Sequence, residues 1–111
     1  MLKVGEKFKF DGERQRYTVQ AVNDRFAIMT KPFNARKTYL YTITDRKRGV
    51  RGPCNLIFGI PCDVNTPAGA AEALAMIERG EMEVSYRKCI DLTAGETFAL
   101  MGSRQEYVEP L

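Results

Sequence analysis

Arg46, Lys47, Arg48 and Arg51 crowd into the stretch TITDRKRGVRGPCNLIFGI, residues 42–60. Arginine offers phosphate a planar fork of donors, and lysine offers a point charge. Lys31, Arg36 and Lys37 extend the set upstream. Gly49 and Gly52 would let the backbone approach a polyanion closely, and Phe33, Tyr39 and Tyr41 would present rings to unpaired bases. The expected chemistry is attraction, with phosphates giving affinity and no sequence information. Lys31, Arg36, Lys37, Arg46, Lys47, Arg48 and Arg51 are therefore the candidate nucleic-acid-binding residues. Two plainer readings compete. Runs of charge are usually solvated surface, and Tyr39 and Tyr41 are equally well placed as core residues with hydroxyls at the rim. No RNP, KH or helix-turn-helix signature accompanies the cations.

Bond-making chemistry has little to work with. The chain contains no histidine, which excludes Ser-His-Asp and Cys-His pairs and the commonest general acid/base at neutral pH. Cys54, Cys62 and Cys89 are an odd, loosely spaced set. They lack the C-x2-4-C pairing of zinc sites and the density of a secreted disulfide framework, so they read as reduced thiols. TPAGAA, residues 66–71, puts a glycine near a helix start, where free N–H groups bind anions, but lacks nucleotide-loop spacing. Glu78, Glu81 and Glu83 would suit a basic partner, or simply an exposed edge. The expectation is a non-enzymatic protein without metal or cofactor.

Charge is divided along the chain. Residues 1–52 carry 13 Lys/Arg against 5 Asp/Glu, a net +8, and residues 53–111 carry 4 against 9, a net −5, within an overall +3. That asymmetry suits an anionic partner for the first half, or docking of one half on the other or on a second copy. With 111 residues, 44% of them apolar, one modest core can form. No apolar run reaches membrane-spanning length, and MLKVGEKFKF has no signal-peptide core. A cytoplasmic location is expected.

The cations must be positioned by strands. KFKF, residues 7–10, has the period of a half-buried strand and precedes an Asp11-Gly12 turn. Residues 15–22 alternate as a second strand, with Tyr17, Val19 and Ala21 on one face. Asn23-Asp24 would close a hairpin onto 25–30, where Phe26 and Ile28 point inward and Pro32 breaks the ladder. TYLYTIT, residues 38–44, is β-branched and aromatic enough for a fourth strand. Asp45 to Gly52 is a turn or hairpin end, and NLIFGI, 55–60, is a short apolar run between two prolines. Thr66 and Pro67 suit the start of a helix over 67–79, whose Ala70, Ala73, Leu74 and Ile77 form a buried stripe ahead of Gly80. Residues 84–92 read as a last strand with Tyr86 and Ile90 on one face. Phe98, Leu100 and Met101 would form a short strand or amphipathic turn, and Gly102-Ser103 would loosen the end. The expected fold is α+β: four or five antiparallel strands as a partial barrel with one packed helix. Residues 1–92 form the domain, and 93–111 are a C-terminal extension, partly mobile or packed on a partner.

RFAIMTKPFN (25–34), YTITDRKRGVRG (41–52), NLIFG (55–59) and the helix followed by GEMEVSYRKCIDL (80–92) together resemble a group of short, mostly uncharacterised proteins of bacteriophages and bacterial mobile elements. The resemblance spans about residues 15–92. It brings no known activity and no functional residue. It implies origin: a small accessory protein of a mobile genome, in the cytoplasm of a host cell. The basic first half makes nucleic acid its expected partner; the alternative is a host protein that it inhibits or redirects. Membrane is not an expected partner. Self-association is, with the FALM run as an apolar contact.

Overall fold

The computed structural model describes residues 2–33, 39–52 and 61–101. The chain is α+β. Among the described residues six antiparallel strands run as a meander, each paired with its sequence neighbours, and curl into a half-barrel with two helices. They are β1 (Lys7–Phe8), β2 (Tyr17–Val22), β3 (Phe26–Pro32), β4 (Tyr39–Asp45), β5 (Val50–Arg51) and β6 (Ile90–Asp91), with α1 (Pro67–Glu78) and α2 (Ala94–Met101). This agrees roughly with the expected partial barrel of four or five strands with one helix; the added elements among the described residues are short, the two-residue β1, β5 and β6 and the eight-residue α2.

The long central strands form because their residues are apolar on both faces. Phe26, Ile28 and Ile43 point to one side, where they pack with Ala21, Val64 and the α1 residues Ala70, Ala73 and Leu74. Ala27 and Met29 point to the other, where they join Leu2, Phe10, Tyr17, Val19 and Leu100. A bulge in β2 between Val19 and Ala21 makes this possible. The extra residue resets the alternation, so Ala21 faces α1 while Tyr17 and Val19 face the second cluster. Strict alternation would put all three on one side. Pro32 does not interrupt β3 but ends it, paired with Tyr39, as an end position tolerates a missing donor.

Both helices are capped by their own sequence. Thr66 Oγ1 accepts the Gly69 N–H at 3.0 Å, and α1 stops at Arg79 and Gly80, the latter at φ +77°. The α2 start is a capping box: Thr93 Oγ1 accepts from Glu96 N at 3.1 Å, and Glu96 returns an oxygen to Thr93 N at 2.8 Å. Glu96 also accepts the Asp11 N–H at 2.7 Å, which ties α2 to the β1–β2 turn. Leu100 is fully buried beneath it. The segment expected as a final strand is mostly irregular, and only Ile90 and Asp91 pair, against Arg51 and Val50. Tyr86 turns inward to the buried Asp45, while Ile90 is exposed. Those two side chains therefore do not share the expected face.

Candidate nucleic-acid interface

Two of the seven candidate cations, Arg36 and Lys37, lie outside the described residues, as do Cys54 and the NLIFGI run. The other five do not gather on one surface. Lys31 pairs with Leu40 near one end of the β3–β4 ladder, whereas Arg46 to Arg48 follow Asp45, which pairs with Phe26 at the other end. The five residue steps between span on the order of 17 Å.

Three of the five turn inward. The Arg51 guanidinium is 2.6 Å from the Glu13 carboxylate and 3.9 Å from the centroid of the Phe10 ring. Lys31 meets the other Glu13 oxygen at 3.1 Å and sits 4.8 Å from the Tyr17 centroid. One carboxylate thus serves two cations, each resting on an aromatic face. Burial pushes the Glu13 carboxyl up, but the bonds from Arg51 and Lys31 prevail and hold it below its ordinary value. Arg46 is buried: it donates to the Leu100 carbonyl at 3.3 Å and to the Asn23 carbonyl. It fastens α2 to the β2–β3 turn.

Lys47 and Arg48 are exposed at the β4–β5 turn. The Arg48 guanidinium stacks 3.9 Å from the Tyr86 centroid. Beneath it lies Asp45, with no side-chain exposure. Its carboxylate receives Arg25 at 2.9 Å, the Tyr86 hydroxyl at 2.6 Å and the Arg48 N–H at 3.0 Å. Burial alone would raise its pKa; Arg25, Tyr86 and the Arg48 amide together lower it.

The glycines serve the backbone. Gly49 adopts φ +75° and donates to Asp45 O at 2.9 Å, closing the turn. Gly52 is buried, bonded to Ile43 and accepting from Thr42. At Gly69 a Cβ would stand 2.0 Å from the Asp63 carbonyl oxygen, and its N–H is taken by Thr66. That glycine lets the preceding loop cross the helix start, and no free donor is left on it for an anion. Tyr39 and Tyr41 are half-buried against the α1 core, and Tyr39 donates to Asp63 at 3.1 Å. Phe33, 59% exposed, is the open ring of the three.

A different group of cations stays at the surface. Lys3, Lys7, Lys9, Arg14 and Arg16 are all exposed on the chain leading into and around the β1–β2 hairpin. Phe8 and Phe10 pack edge-to-face 4.8 Å apart, and Phe10 continues to Tyr17 at 5.4 Å. Alternation therefore sends Lys7, Lys9 and Arg16 to the opposite side. Lys7 also reaches Thr18 Oγ1 at 2.7 Å. Lys9, Arg14 and Arg16 have no carboxylate partner among the described residues. Sequence reasoning passes over this row because its members are spaced out, though the KFKF alternation is its visible signal.

By register Lys7 leads across the sheet to Thr18, Thr30 and Tyr41, but Thr30 is buried and Tyr41 packs against the α1 core, so the open row is confined to the hairpin cations. The exposed hairpin cations can supply several phosphate contacts. Among the described residues no cluster of metal-ligating side chains occurs, and no helix is long and apolar enough to cross a membrane. Compared with protein-family models, curated proteins and solved structures, the chain matches none.

Proposed function

We propose that this chain is a small accessory protein of a phage or mobile element, not an enzyme, that binds single-stranded nucleic acid in the host cytoplasm. The supporting observation is the row Lys7, Lys9 and Arg16 on the outer side of the β1–β2 hairpin, with Arg14 at its tip. These side chains are exposed, alternate onto one side and have no carboxylate partner among the described residues, whereas Lys31, Arg46 and Arg51 are engaged inside the fold. The exposed Phe33 follows Pro32, on the strand next to β2, and offers a stacking face. Lys47 and Arg48, at the far end of the sheet, would add general attraction.

The test is fluorescence anisotropy of a labelled 20-nucleotide oligo-dT at several salt concentrations. Binding should weaken steeply with salt through counterion release. Lys7→Glu/Lys9→Glu/Arg16→Glu should weaken it at least tenfold and flatten the slope by about 2, at roughly 0.7 for each phosphate no longer neutralised. No binding at low salt, or unchanged binding by the triple variant, overturns the proposal.

A further inference from the structure

At the opposite end of β2 from Arg16 lies an open cleft of about 690 Å³, lined by the β2–β3 turn, the end of α1 and residues 83–86. Phe26, Ile77 and Val84 give it an apolar floor; Asp24, Glu78 and Glu83 are its carboxylates. The one cation among its described lining residues, Arg25, is already committed to the buried Asp45 at 2.9 Å. The nearby Arg79 is held by Glu72 at 3.0 Å and Glu81 at 2.8 Å. The α1 carbonyl end, Glu78 being its last residue, adds negative potential. Asp24 and Glu83 are exposed and make no hydrogen bond or ion pair with any described residue.

The complementary surface is on the same molecule but out of its own reach. The hairpin row Lys7, Lys9 and Arg16 is separated from Asp24 by the length of β2, on the order of 20 Å. Beside that row, Val4 is 49% exposed between Lys3 and Lys7, an apolar group flanked by cations that suits a floor of Phe26, Ile77 and Val84. We infer that the cleft receives the β1–β2 hairpin edge of a second copy of this chain, joining molecules head to tail. Such a contact is heterologous: every assembly keeps one free basic end and one free acidic cleft, so it grows with concentration and does not stop at a dimer. Held largely by exposed charges, it weakens as the Debye length shrinks. It shares the hairpin cations with the function proposed above but does not depend on it.

Sedimentation velocity of the full chain, without nucleic acid, tests this at about 20 and 300 mM NaCl, roughly 20 and 6 Å of screening length. The expected result is a sedimentation coefficient that rises with protein concentration at low salt only. Asp24→Lys/Glu83→Lys and Lys9→Glu/Arg16→Glu should each sediment as monomers, and their equimolar mixture should associate again. Asp24→Asn/Glu83→Gln, which changes charge with almost no change of shape, should show at least a severalfold weaker association. The acidic-side variants should still bind oligo-dT if the nucleic-acid reading holds, so the two proposals fail separately. A wild-type chain that stays monomeric at low salt overturns the inference. So does an acidic-side variant that associates as the wild type does, or a mixture of the charge-reversed variants that stays monomeric.

Discussion

Arg51 and Glu13 meet at 2.6 Å, 38 residues apart in sequence, with the guanidinium laid on Phe10. The contact joins β5 to the β1–β2 hairpin and removes a cation from the surface. Its charge helps to build the fold and is not available to a ligand. Glu13→Gln should lower stability by about 2 kcal/mol, the scale for hydrogen bonds to charged groups. The loss falls on Arg51 and Lys31 together, since both are deprived of their counter-charge. A urea midpoint displaced to lower concentration with an unchanged slope would register it.

Acid should act through the same residue and through Asp45. Both carboxyls titrate lower in the folded chain than in the unfolded one. Each therefore adds stability that is complete above the unfolded value and is lost as pH falls through the folded one. Stability should hold from neutrality to about pH 5 and decline below about pH 4, the ordinary carboxylate range. Glu13→Gln/Asp45→Asn should be less stable at pH 7 and show a shallower decline. Parallel pH profiles for the two proteins would contradict this assignment.

Two helix glycines should respond oppositely to alanine. Gly69→Ala drives a methyl against the Asp63 carbonyl, and the clash is with backbone. Its cost should be at least about 1–3 kcal/mol, the range for overpacking. Gly95 in α2 has open space around the added atom, so Gly95→Ala should be neutral or stabilise by up to about 1 kcal/mol from helix propensity. Thermal melts of the pair check both signs.

Glu96 and Leu100 hold α2 from its two ends. Glu96→Ala removes the reciprocal cap and the Asp11 contact, an expected loss of about 1–2 kcal/mol. Leu100→Ala opens a cavity among Phe10, Tyr17 and Met29 and should cost about 2–5 kcal/mol. Hydrogen exchange should show faster exchange in α2 for both variants, with the β3–β4 ladder less affected in Glu96→Ala.

Much of the scaffold is legible from residue order because its signals are local. The period-2 runs at 17–22, 26–30 and 39–44, the Asp11-Gly12 and Asn23-Asp24 turns, and the Thr66-Pro67 helix start each depend on a few adjacent residues. Asn23 shows how: its side-chain oxygen accepts from Phe26 N at 2.6 Å and Arg25 N at 3.0 Å, closing the hairpin by itself. The α2 start is local too, since Thr93 and Glu96 have capping-box spacing, yet the expected strand or amphipathic turn at 98–101 overlooked it. The lack of histidine likewise follows from composition alone.

What residue order could not decide is where each charged side chain ends. A run such as DRKRGVR states how many cations are near one another along the chain, not which of them meet an acid from elsewhere. Glu13 reaches Arg51, Asn23 reaches Arg46 and Tyr86 reaches Asp45 across distances in sequence that no local pattern spans. The bulge after Val19 reassigns a face for the same kind of reason: burying both sides of the sheet outweighs regular alternation in one strand. Charge count and strand period are properties of the chain, whereas the surface left for a partner is set by long-range pairing, which consumes some cations and leaves others in water.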